Sequence, residues 1–236
     1  MTSADVSERQ QFSPTPEQLI AGTDWGHLEV IVGPEQGCPT VRESLTVLLE
    51  GAPSAQARAL RDLGEAINHQ NSIAEATAPA LLVVAALLTD SRTDQVTLPA
   101  LPYRTDTPTL LRQGLLLLVA NAINDAGDEA EAAARHFGHE LLPAELQVRS
   151  IRPALLPAAC ALLCDPDLKV RQAAALTVIR LLEDLDLASQ HTELKQQAEL
   201  VLAADSFSRP RAGHLTASKD AWVVPADGGF DDHPPF

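Results

Sequence analysis

The stretch IRPALLPAACALLCDPDLKVRQAAALTVIRLLED, Ile151 to Asp184, sets two apolar, alanine-rich segments on either side of an Asp165-Pro166-Asp167 break. In the first segment Leu155, Leu156, Ala159, Leu162 and Leu163 recur at helical spacing; in the second, Val170, Ala173, Ala174, Thr177, Val178 and Leu181 do so. Pro166 cannot continue a helix, and Asp167 is placed to accept main-chain N–H bonds where the next one begins. The reading is two antiparallel helices joined by a short turn. Each is apolar on more than one side, so the pair needs neighbouring pairs to bury what it exposes.

Asp165, then Val170-Arg171 five and six positions on, then the small residues Ala173 and Ala174, resembles the turn of a HEAT repeat. Pro153 or Pro157 stands where that family bends its first helix. The resemblance implies an α-solenoid in which Asp165 and Arg171 are structural and tie the turns together. The expected fold is all-α: a right-handed solenoid of about four antiparallel helix pairs of the HEAT or armadillo type.

Composition agrees. Only 3% of the residues are aromatic against 45% apolar overall, the balance of a core built from Leu, Ala and Val in close-packed helices. A formal charge of −15 leaves no basic stripe for nucleic acid and disfavours anionic membrane. It favours a basic protein partner, drawn in by long-range attraction. Cys38, Cys160 and Cys164 are an odd, sparse set, read as small buried hydrophobes rather than a bridge or a zinc site. The N-terminus has no apolar run, and no window reaches membrane-spanning length, so a soluble, cytoplasmic, monomeric protein is expected.

Residues 1–14 read as a disordered lead, 15–204 as the helical body and 205–236 as a flexible tail rich in Pro, Gly, Ser and Asp. Within the tail, Trp222-Val223-Val224 either clips back onto the body or serves as a docking motif. Thr15-Pro16 opens a first helix, and Asp24 caps a second over Trp25 to Val32. Pro39 to Leu49 and Ser54 to Asn68 make the first helix pair. Ser72 and Glu75 form a capping box for a nearly all-apolar helix, Ile73 to Leu88. After an insertion from Thr89 to Asp106, Thr107-Pro108 restarts a helix to about Asp125. The leucine pairs Leu48-Leu49, Leu87-Leu88 and Leu162-Leu163 lie 39 and 75 residues apart. With repeats of about 40 residues, one degenerate unit from Asp128 to Arg149 fills the wider gap. A solvated end helix is expected from Ala188 to Ala204.

Chemistry-bearing patterns are weak. His136, His139 and Glu140 lack the HExxH spacing and a further ligand, and no nucleophile elbow, phosphate loop or dinucleotide fingerprint is present. No catalysis, cofactor or metal is expected. Between Asp125 and Glu145 lie six carboxylates and one arginine, Arg135. This run, with Asp125, Asp128, Glu129 and Glu131 foremost, is either a solvated face or a surface for basic residues of a partner.

A second resemblance covers roughly Asp24 to Leu88. Asp24-Trp25, Gly33 followed by Pro39, His69-Gln70, and Glu75-Ala76-Thr77-Ala78-Pro79 are similar to bacterial HEAT-repeat proteins encoded beside polymorphic toxins and regarded as immunity proteins. The chain departs from them at Val32-Gly33, where a Tyr-Gly pair is usual, and at Asn71, where a glycine is. The resemblance implies a protein that binds and blocks a basic toxin domain without catalysing anything. His69 and Gln70 are either a polar plug on the carbonyls ending the preceding helix or direct contacts to the ligand. Two rival functions remain, an intracellular scaffold or assembly factor and a solenoid-fold lyase.

Overall fold

The computed structural model describes residues 14–100 and 108–206. The expectations for the N-terminal lead, most of the tail and Trp222-Val223-Val224 lie outside those residues. The described chain is mostly helical: α1 (Pro16–Gly22), α2 (Val41–Glu50), α3 (Pro53–Ile67), α4 (Thr77–Thr89), α5 (Leu111–Asp125), α6 (Asp128–His136), α7 (Pro143–Ser150), α8 (Arg152–Ala161), α9 (Leu168–Leu181), α10 (Leu185–Gln190) and α11 (Thr192–Ser206). Two antiparallel ladders of two residues each complete it, β1 (Asn68–His69) with β2 (Ser72–Ile73) and β3 (Thr97–Leu98) with β4 (Thr109–Leu110).

Local sequence chemistry accounts for most boundaries. Thr15 and Gln18 form a capping box with Pro16 at the first helical position, and Thr40 and Glu43 form another before α2. Asp167 caps α9 by accepting from the N–H groups of Lys169 (2.8 Å) and Val170 (3.1 Å). Arg171 Nη1 donates to the main-chain oxygens of Asp165 (2.6 Å) and Pro166 (3.0 Å), closing the turn between α8 and α9. The Asp165 carboxylate accepts from the Asp167 N–H and lies 3.9 Å from Arg112 Nη1 on α5. Pro153 stands in the first turn of α8 and Pro157 inside it.

The helices pack in succession. α2 lies against α3, α4 against α5 and α8 against α9. α4 also contacts α2 and α8, α5 contacts α3 and α9, and α11 contacts α9. Leu45, Leu63, Leu81, Leu87, Leu115, Ile123, Val170 and Val178 are fully or almost fully buried along one continuous core.

Several expectations are corrected. The stretch after Asp24 makes one 3₁₀ turn, Trp25–His27, and then continues as irregular, non-helical chain with a bend at Ile31-Val32. It is fixed by bonds from the Ile31 N–H to Ala66 O (2.8 Å) and from the Ala76 N–H to Glu29 O (3.1 Å). Ser72 and Glu75 form no capping box: Ser72 sits in β2, and Glu75 accepts from the Glu29 N–H instead. α4 starts at Thr77, whose hydroxyl donates to Ile67 O (2.5 Å) and accepts from the Ala74 N–H (3.0 Å). α5 starts at Leu111, after the β4 ladder, rather than at Thr107-Pro108. The final helix is in two parts: α10 starts at Leu185, with Asp184 accepting from the Leu187 N–H at 2.9 Å, and α11 starts at Thr192 after a break at His191.

The largest difference concerns Asp128 to Arg149. It forms α6 and α7, but these do not separate α4–α5 from α8–α9. α5 packs directly on α9 and α4 directly on α8, with α6 against α5 and α7 alongside α4, α5 and α8. The 75-residue leucine spacing therefore spans one step of packing plus two insertions. The cysteines differ too: Cys164 is exposed in the turn after α8, and Cys38 and Cys160 are half-buried.

Candidate functional site

A cleft of about 540 Å³ runs between α3 and α5. It is lined by Ala57, Leu60 and Gly64 from α3 and by Gln113, Gly114, Leu117, Leu118 and Asn121 from α5. Gly114 lets the helices approach closely here, because a Cβ at that position would lie 2.5 Å from Leu60 Cδ2.

One end of the cleft is closed by the β1–β2 hairpin. Its two central residues, Gln70 and Asn71, both have positive φ (51° and 61°), as a tight two-residue turn with right-handed strand twist requires. Asn tolerates that conformation; Gln is held in it at a cost. His69 Nδ1 contacts the Glu65 carboxylate one helical turn back, and Asn68 Nδ2 donates to Asp125 Oδ2 at 2.8 Å. The hairpin is thus anchored to α3 on one side and to the end of α5 on the other. Of the residues singled out from sequence, His69 and Gln70 line this end of the cleft, whereas Asp125 is not part of the lining and reaches the hairpin only through Asn68.

At the end of α3 the Ala66 oxygen accepts from the Ile31 N–H and the Ile67 oxygen from the Thr77 hydroxyl, while His69 and Gln70 line the cleft.

The remaining acidic candidates lie on α6. Asp128 and Glu131 are engaged by Arg149, at 3.2 Å and 2.7 Å, and Glu131 also by Arg135 at 2.6 Å. A hydrogen bond from Arg149 holds the Glu131 carboxyl below the usual carboxylate range. Arg149 further donates to Ala126 O and Gly127 O, both at 2.7 Å, which clamps the junction of α5 and α6. Glu129 is exposed. Asp165, Val170 and Arg171 belong to the α8–α9 turn, and Pro153 to the start of α8, all away from the cleft lining.

Arg152 was invisible to pattern reading. Only 2% exposed, it carries Nε and Nη2 atoms with no hydrogen-bond partner, and burial together with the neighbouring Arg149 pushes its pKa down. Its position opposite Pro153 at the start of a helix looks like an ordinary surface site in the sequence.

Among the described residues, no group of three or more His, Cys, Asp or Glu side chains is placed to hold a metal ion, and no helix is long and apolar enough to cross a membrane. The His136 ring meets the edge of Phe137, with centroids 5.1 Å apart. No protein-family model, no curated protein and no solved structure matches the chain.

Proposed function

We propose that this chain is a non-catalytic protein-binding module of the HEAT type, a right-handed solenoid that works as an immunity protein by occupying a basic toxin domain in the cytoplasm. The observation that carries the reading is the cleft between α3 and α5. Two successive helices of the α3–α5–α9 row line it, and a strained, polar hairpin turn closes one end. Strain held at a surface turn is characteristic of contact sites, where geometry is kept for a ligand rather than for the fold.

Charge supports a basic partner. With Asp128 and Glu131 already held by Arg149, attraction comes from the whole −15 field more than from one acidic patch. The field speeds encounter, and the cleft supplies the specific contacts.

Co-expression tests the proposal. Cells producing the product of the adjacent gene should be rescued from growth arrest by this chain and not by its His69→Ala/Gln70→Ala variant. Rescue by neither, with both proteins accumulating, would contradict it.

A further inference from the structure

Six large apolar side chains stand exposed among the described residues, and three of them fall within ten positions of one hairpin: Phe137 (73% exposed), Leu142 (59%) and Leu146 (53%). Scattered single leucines on a surface need no explanation; a concentration does. Leu142 and Leu146, four apart across the first turn of α7, share one side of that helix. Phe137 ends α6.

α6 itself is amphipathic, with Ala130, Ala133, Ala134 and Phe137 at the spacing of one helical face, yet none of its residues is buried. It packs against α5 and is tied to α7 by the Arg149 clamp. Ala130 and Ala134 of that face are half-buried, while Phe137 at its end, with Leu142 and Leu146 beyond it, stays uncovered.

What covers it is decided by charge. Glu129 and Glu140 are exposed on the same hairpin, and Arg135 and Arg149 are already committed to Glu131 and Asp128. A second copy of the chain would bring two acidic rims together within a molecule of charge −15, and an anionic bilayer would be repelled likewise. A segment with apolar anchors flanked by lysine or arginine fits both features at once.

We propose that the α6–α7 hairpin is a docking surface for a cationic amphipathic segment of a partner protein, with Phe137, Leu142 and Leu146 as its anchors and Glu129 and Glu140 as its rim. This deepens the protein-binding reading above and rests on it.

The probe is a fluorescein-labelled 18-residue peptide of leucine and lysine with one apolar helical face. A scrambled peptide of the same composition is the control. Fluorescence anisotropy with the full chain should show the amphipathic peptide binding at least ten-fold tighter than the scrambled one. Phe137→Ser/Leu142→Ser/Leu146→Ser should abolish that difference. Because the three side chains are exposed, the variant should melt like the wild type; the single variants Phe137→Ser and Leu146→Ser, each weakening binding several-fold, provide an independent check. Glu129→Gln/Glu140→Gln should flatten the salt dependence of binding.

Equal binding of both peptides, or an unchanged triple variant, overturns the proposal. So does a concentration-dependent dimer that the triple variant loses, which would make the hairpin a self-interface. The adjacent-gene product separates this inference from the broader one. If it binds wild type and triple variant alike, the hairpin is not the docking surface and the immunity reading stands. If it binds neither while the peptide result holds, the immunity reading falls and the docking surface stands.

Discussion

The buried Thr177 hydroxyl of α9 lies 3.0 Å from the main-chain oxygen of Leu116 on α5, and 2.8 Å from Ala173 O of its own helix. A contact across 61 residues, made by a fully buried side chain, means that α5 and α9 are immediate neighbours. Thr177→Val keeps the shape and removes the donor. A loss of about 1 kcal/mol is expected in urea unfolding, the net worth of one buried hydrogen bond. An unchanged midpoint would mean that the two helices do not meet at this register.

Arg149 clamps the α5–α6 junction through two carbonyl oxygens and two carboxylates. Arg149→Met should leave the buried core intact and release α6. Hydrogen exchange of the amides from Asp128 to His136 should quicken, while those of α9 keep their protection. Equal quickening in both helices would show that the hairpin folds as part of the core.

The same clamp predicts a pH dependence. Glu131 has its pKa lowered in the folded protein, first by the hydrogen bond from Arg149. A depressed carboxyl contributes stability that is present above its unfolded value, 4.5, and is lost as pH falls through the folded value. α6 should therefore loosen below about pH 4.5, before the core unfolds. Glu131→Gln should remove the pH dependence of α6 protection, measured relative to intrinsic amide exchange, over that interval.

Gln70 pays for its positive φ at the tip of the β1–β2 turn. Gln70→Gly should stabilise the protein by about 0.5–1 kcal/mol, since glycine adopts this conformation without the Cβ penalty. If Gln70 contacts the partner, the same substitution should weaken binding while it raises the melting temperature. Improvement in both would remove Gln70 from the interface.

The helical character of the body was readable because its apolar periodicity is strong and its starts are chemically marked. Thr15, Thr40, Asp167 and Asp184 each cap a helix through their own side chains. The Ser72–Glu75 pair misled because its motif is local, whereas the bonds that fix that segment are long-range: Glu75 answers Glu29, and Thr77 answers Ile67. A leucine spacing near twice 40 residues cannot distinguish an extra repeat from insertions within one, and the Thr177–Leu116 contact decides for insertions. His69 and Gln70 could be singled out from sequence, but not the cleft beside them. That cleft depends on Gly114 meeting Leu60, and Gly64 meeting Leu118, across helices about 50 residues apart, a relation no local pattern carries.

The cysteines provide a separate check on the α8–α9 turn. Cys164 is exposed, while burial pushes the Cys160 thiol up from its ordinary value. With a chromogenic disulfide reagent at neutral pH, Cys164→Ser should abolish the fastest thiol phase, whereas Cys160→Ser should leave it intact.

Titration calorimetry of the full chain with the purified adjacent-gene product, at low and high salt, tests the binding account most directly. A one-to-one complex is expected whose affinity falls as salt rises and drops at least ten-fold in His69→Ala/Gln70→Ala. Absence of heat and of any complex at either salt, with both proteins folded, would contradict it.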